Sequence, residues 1–278
     1  MTETSNASAN HHRRRHPLPH PGHVTPAQTL QWLAAGWKTF AASPGLWILQ
    51  TLALTAILFT LAFVIGVIPT YGPLLAPLVL QMLFPMLVAG MISGAHALDQ
   101  GQPLQFAYLF DGARRHPGNL LMIGFFCVLG GLLAALIAIV VGSSAAVTGV
   151  IVGSLGNIGL GSSVALLSLA LWPVFLVLLL MALWFAPTLV MLQNVSPLDA
   201  IRLSLRAGVS NLASFIVLGF ILYLLAWFAM LPFGLGVLVL IPVLAGALHA
   251  AWKDTFGESQ PALLAPAADS RSTPDDAA

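Results

Sequence analysis

The chain has 278 residues, of which 58% are hydrophobic and 7% charged, whereas a soluble domain carries about a quarter charged residues. So little charge cannot clothe a water-soluble surface, which makes lipid the natural solvent of most of the chain. The single cysteine, Cys127, lies in an apolar run and excludes a disulfide framework or a cysteine metal site, and the net charge of +1 informs only through where its members sit.

Residues 1–25 read as a disordered basic tail. His11, His12, His16, His20 and His23 surround Arg13, Arg14 and Arg15. Clustered imidazoles are one route to a transition metal, but Pro17, Pro19, Pro21 and Pro26 resist a fixed coordination geometry. The arginines suit anionic lipid, at about 1 kcal/mol for each basic residue near the surface, and no metal site is assigned. Thr25-Pro26-Ala27-Gln28 then has the form of a capping box with proline at the first helical position, which predicts a helix over 26–42. Leu30, Leu33, Trp37 and Phe40 form its apolar stripe, and Trp32, Trp37 and Trp47 suit an interface.

Six apolar spans follow: Gly45 to Ile68, Leu74 to Leu98, Asn119 to Val141, Val164 to Leu192, Leu212 to Leu231 and Phe233 to Trp252. Each meets the roughly 20 residues that a bilayer demands. The first lies too far along the chain, behind a basic tail, for a cleavable signal, so it is expected to remain. With six spans, Arg13, Arg14, Arg15, Lys38, Arg114, Arg115, Arg202, Arg206, Lys253 and Arg271 all fall on one side, and the positive-inside rule makes that side cytoplasmic. The uncharged Gly/Ser-rich stretch 142–163 tests this count. A seventh span there would put Arg202 and Arg206 outside, and Gly142, Gly149, Gly153, Gly156, Gly159 and Gly161 disfavour a continuous helix. It is expected to be an outer-face loop or a re-entrant segment.

The segments before the odd spans resemble one another. Gln28-Thr29-Leu30-Gln31-Trp32 returns as Gln102-Pro103-Leu104-Gln105-Phe106, and more loosely as Pro197-Leu198-Asp199-Ala200. Ser196-Pro197-Leu198-Asp199 again has the form of a capping box, and the following helix would set Leu198, Ile201, Leu205 and Val209 opposite Asp199, Arg202, Arg206 and Ser210, a pattern suited to lying on a bilayer. Three repeats in the same sense imply a pseudo-threefold axis along the membrane normal. Duplication alone accounts for them equally simply, since a repeat records a fold before it records a function.

Several motifs carry a family resemblance: Gly36-Trp37-Lys38-Thr39-Phe40, Pro44-Gly45-Leu46-Trp47, Trp184-Phe185-Ala186-Pro187, Ser196-Pro197-Leu198-Asp199-Ala200, Ser204-Leu205-Arg206-Ala207 with Asn211, and Ala245-Gly246 leading to Lys253-Asp254. Over about residues 29–256 the chain resembles a family of uncharacterised proteobacterial six-helix inner-membrane proteins. It is more distantly like the membrane domains attached to some glycerophosphodiester phosphodiesterases. The resemblance implies a fold and a location; the phosphodiesterase domain has no counterpart here, so no such activity is implied.

Polar groups within the spans are few, and intramembrane polar groups are where function concentrates. No Asp, Glu, Lys or Arg occupies a span core, which weakens the case for a proton- or sodium-coupled transporter. His96 and His249 stand near the same ends of spans two and six. They line a cytoplasmic vestibule on one reading, and are two interfacial side chains bonded to backbone or water on the other. Gln50 and Gln81 read as hydrogen-bonding glue between helices, and Gly90 and Gly94 as a small-xxx-small packing face. An intramembrane hydrolase would need Ser93 beside His249, the one pairing on offer. Pro85, Pro173 and Pro242 are expected to bend their spans.

The expectation is therefore an all-α membrane protein over residues 26–256, between tails 1–25 and 257–278. Six transmembrane helices form three hairpins, each preceded by a cytoplasmic interfacial helix, in a bacterial inner membrane with both termini cytoplasmic. Its partner is the lipid bilayer; no nucleic acid, cofactor, metal or catalytic residue is assigned, and a homo-oligomer is left open. Membrane or envelope organisation is the expected function. The alternative is a transporter or channel for a small or lipid-like solute, and an intramembrane hydrolase comes third.

Overall fold

The computed structural model describes residues 21–154 and 174–257. Every regular element among them is helical: α1 (Pro26–Ala42), α2 (Pro44–Gly66), α3 (Gly72–Asp99), a 3-10 helix (Phe106–Phe110), α4 (Asp111–Arg115), α5 (Pro117–Ser154), α6 (174–184), α7 (Ala186–Gln193), α8 (Pro197–Ser210), α9 (Leu212–Met230) and α10 (Val237–Phe256). Six stretches are long and apolar enough to cross a membrane, namely Pro44–Gly66, Gly72–Asp99, Pro117–Val140, Val174–Gln193, Leu212–Met230 and Val237–Phe256. The chain is an all-α, multi-pass membrane protein.

Local signals placed several helix starts well. At α1 the Gln28 side-chain oxygen accepts the Thr25 N–H at 2.6 Å, and at α8 the Ser196 hydroxyl accepts the Asp199 N–H at 3.3 Å. Each satisfies a donor that a helix start leaves open. The middle copy of the repeat departs from this: it forms the 3-10 helix and the five-residue α4. It has no capping signal; Pro103 precedes it and Gly112 lies within α4.

The Gly/Ser-rich stretch corrects an expectation. Residues 142–154 continue α5 as helix, so this part is neither a loop nor a re-entrant turn; residues 155–163 lie outside the described residues. Gly142, Gly149 and Gly153 each cost about 1 kcal/mol in a helix. Breaking the helix would strip intrahelical partners from backbone groups in an otherwise apolar segment, which costs more.

The fourth span is interrupted within its described part. Pro173 lies outside the described residues, whereas α3 runs unbroken through Pro85 and α10 through Pro242. The break falls at Phe185, between α6 and α7, two residues before Pro187. There the Ser204 hydroxyl of α8 accepts the Phe185 N–H at 2.9 Å and donates to the Met181 carbonyl at 2.6 Å. These are the two groups that an intact helix would pair with each other, so a fully buried serine is inserted into the ladder and satisfies both sides.

α1 and α10, from the two ends of the described fold, pack closely against each other. A side-chain carbon at Gly36 of α1 would overlap the Val243 carbonyl of α10, and one at Gly246 would meet the Gly36 Cα at 2.9 Å. Only glycine permits that approach. The expected stripe of α1 is accordingly rotated: Thr29, Trp32, Gly36 and Phe40 face the protein, while Leu30 and Trp37 are more than half exposed. α8 likewise buries Ala200, Leu203, Ser204, Ala207 and Gly208 and leaves Leu198 and Val209 about half exposed. In both helices a glycine makes the close approach, Gly36 in α1 and Gly208 in α8, while leucine, valine and tryptophan side chains lie on the outward faces.

Residues 22–24 are strapped to the same end of the bundle. Asn211, at the junction of α8 and α9, accepts the Val24 N–H at 2.7 Å and donates to the Gly22 carbonyl at 3.0 Å. Ser214 donates to the Val24 carbonyl, and the Gly22 N–H donates to the Thr255 carbonyl of α10, both at 2.8 Å.

Candidate functional site

α1, α3 and α10 converge at the end of the bundle that carries Asp99, Lys253 and Asp254, and they do so through side chains. His96 Nδ1 of α3 lies 3.0 Å from His249 Nε2 of α10, so the two histidines singled out in the sequence are each other's partner. Gln100 Nε2 sits 2.8 Å from His96 Nε2, one turn further along α3. Lys253 pairs with Asp99 at 2.9 Å, and Trp32 Nε1 of α1 donates to Asp254 at 2.7 Å. Trp252 presents its ring to both imidazoles, at centroid separations of 6.2 and 5.7 Å.

Helical spacing accounts for the convergence. His96 and Asp99 of α3 and its C-cap Gln100 lie at i, i+3 and i+4, and His249 and Lys253 at i and i+4 on α10. Each set therefore shares a helix face, and when the two faces meet, imidazole meets imidazole and carboxylate meets ammonium. The result borders a cleft of about 340 Å³, at the small end of the range in which ligand pockets fall. Ala35, Ala42, Leu98, Gly246 and Ala250 supply its apolar walls; Lys38, Asp99, His249, Lys253 and Asp254 supply its charge and hydrogen bonds.

Gly90 and Gly94 pack against a different neighbour. A side-chain carbon at Gly90 would overlap the Leu109 carbonyl, and one at Gly94 would meet Leu104 Cδ1 at 2.9 Å and the Trp47 ring at 3.4 Å. The small face of α3 thus admits the 104–110 segment and the Trp47 ring. Gln50 fixes that segment by donating to the Gln105 carbonyl at 2.9 Å, and Gln81 donates to the Cys127 carbonyl of α5 at 3.1 Å.

The structure does not join Ser93 to an imidazole. Its hydroxyl donates to Asp111 at 2.7 Å, and that largely buried carboxylate also meets Arg115 at 3.1 Å. The Ser93–His249 pairing is therefore not formed: the serine is held by Asp111 and the imidazole by His96. Among the described residues no three His, Cys, Asp or Glu side chains are placed to hold a metal ion; the histidines of residues 1–20 lie outside them.

Sequence reasoning missed several residues of this end. Asp111 was visible only as one more charge in a loop, and nothing local announced that it would be drawn in beneath α3. Trp32 and Asp254 are 222 residues apart, beyond any spacing rule. Gln100 could have been found, since it follows His96 by one helical turn. No family model, no curated protein and no solved structure matches the chain.

Proposed function

We propose that this chain is a non-enzymatic protein of the bacterial inner membrane, with both termini cytoplasmic, and that it organises the membrane through a polar vestibule on its cytoplasmic rim. One observation carries the reading: the side-chain couplings between α1, α3 and α10 converge around a single cleft, at the end where every Lys and Arg of the six-span arrangement falls. The positive-inside rule makes that end cytoplasmic. The three-hairpin repeat and its interfacial helices belong to the same proposal. The exposed leucine, valine and tryptophan on the outward faces of α1 and α8 suit helices lying at the bilayer surface. The resemblance to proteobacterial six-helix inner-membrane proteins points to the same location.

Transport of a lipid-like solute is the second reading, and the break in the fourth span favours it, because discontinuous helices often form transporter sites. Here the freed backbone groups at Phe185 and Met181 are already taken by Ser204, leaving them none to offer a solute. Cysteine labelling in a Cys127→Ala background tests the orientation: positions 114 and 206, both exposed, should react only from the cytoplasmic side, and external reaction at 206 overturns it. Lipid scrambling by reconstituted full-length protein separates the two readings. None is expected, and saturable transfer would establish transport.

A further inference from the structure

The vestibule has an unspent hydrogen-bond donor, and the identity of its neighbours fixes which atom carries it. Gln100 presents its amide Nε2 to His96 Nε2. An amide nitrogen only donates, so His96 Nε2 accepts and the neutral ring holds its proton on Nδ1. That proton points at His249 Nε2, 3.0 Å away, which accepts it; His249 therefore carries its own proton on Nδ1. No acceptor meets His249 Nδ1 among the described residues, and it is not one of their fully enclosed unpartnered atoms; on a side chain that lines the cleft it is open to that space. A donor that faces the cleft without a protein acceptor is available to an acceptor delivered there.

The charges around that donor define the acceptor. Lys38 lines the cleft and has no carboxylate within ion-pair distance among the described residues, so an ammonium and an imidazole N–H converge on one space, as an anionic oxygen requires. Asp99 is neutralised by Lys253, but Asp254 receives only the Trp32 N–H, on one of its two oxygens. Its remaining charge repels a net anion and suits a cation beside it. The walls are apolar, and α1, which forms one of them, turns Leu30 and Trp37 outward, so the space opens where acyl chains meet head groups.

We propose that this cleft binds the aminoethyl phosphate head group of a zwitterionic phospholipid, its phosphate held by Lys38 and His249 Nδ1–H and its primary amine by Asp254. This rests on the vestibule reading above and names its ligand. A lipid rather than a soluble aminoalkyl phosphate is the source, because the apolar walls have no use for a free head group.

The test uses the full chain held in amphipol and titrated with dihexanoyl phosphatidylethanolamine, its phosphatidylcholine and phosphatidylglycerol counterparts, free phosphoethanolamine and inorganic phosphate. The imidazole nitrogens are followed by NMR. Phosphatidylethanolamine should move the His249 Nδ1 resonance and bind about tenfold tighter than either other lipid, the worth of one charge-assisted hydrogen bond. Lys38→Ala, on an exposed side chain that folding does not need, should weaken it by about the same factor, while Lys38→Arg retains it. Binding indifferent to Lys38→Ala, or phosphatidylglycerol binding as tightly, overturns the proposal. Free phosphoethanolamine or phosphate saturating the same resonance as tightly overturns the lipid source. None of these outcomes depends on which side of the membrane the cleft faces, so labelling at 206 fails or succeeds separately.

Discussion

α9 and α10 are adjacent in sequence and nearly equal in length, at 19 and 20 residues, yet they use their surfaces in opposite ways. The most apolar window of α9 has a mean hydropathy of 2.4 and is 17% buried; that of α10 has a mean hydropathy of 1.4 and is 50% buried. α9 buries Ser214, Leu218 and Ala229 and turns Phe220, Tyr223, Trp227 and Phe228 outward, whereas α10 buries an almost continuous run from Pro242 to Ala251 that includes Gly246 and four alanines or leucines beside it. In water the greasier helix would be the inner one. In a bilayer a phenylalanine gains little by leaving lipid for protein, so association follows close backbone approach and hydrogen bonding. The less hydrophobic helix is therefore the organising one.

Two glycine substitutions should expose this difference most sharply. Gly246→Leu forces a branched side chain onto Thr39 and the Gly36 backbone, and should cost at least about 3 kcal/mol, since overpacking against a rigid neighbour is at the severe end of its range. A side-chain carbon at Gly219 of α9 meets nothing within 4 Å, so Gly219→Leu should not destabilise and should gain up to about 1 kcal/mol of helix propensity. Unfolding in mixed micelles measures both, and equal losses would break the contrast. Ser204→Ala comes next: it removes the hydroxyl between Phe185 and Met181 and strands two buried backbone groups, at about 2 kcal/mol. Amide exchange at Phe185 should accelerate with it, and unchanged protection there would mean that the break closes on itself. Smallest is Lys253→Ala. Its pair with Asp99 is roughly half exposed on both sides, so the loss should stay below about 1 kcal/mol and shrink further in high salt.

The same contrast explains what the sequence could convey. Hydropathy found the spans because length and apolarity suffice for crossing, and the starts of α1, α8 and α9 fall where the capping boxes at Thr25 and Ser196 and the expected span from Leu212 put them. It could not find which face of α1 turns inward. Leu30 and Trp37 advertise apolarity, while Gly36 and Thr29 advertise nothing, and it is their smallness against α10 that matters. Of the vestibule, His96 and His249 stood out as rare polar groups in apolar helices. Their mutual bond depends on the rotation of two helices about their axes, which a one-dimensional pattern does not encode. The break at Phe185 was hidden for a related reason: Pro187 marked a weak point, but the group that fills it belongs to another helix.

The strap and the α1–α10 pair have a consequence for how the molecule is made. Trp32 must wait for Asp254, and the backbone of residues 22–24 for Asn211 and Ser214, all of which leave the ribosome after most of the chain has been synthesised and inserted. Until then α1 has no glycine-lined partner, and its inward face, with Thr29 and the Trp32 N–H, is left to water and head groups. A chain arrested before α10 can hold five of the six spans in lipid and still lack one wall of the cleft. Assembly is thus timed by its last helix: the cleft lacks His249, Lys253 and Asp254 until α10 is in place.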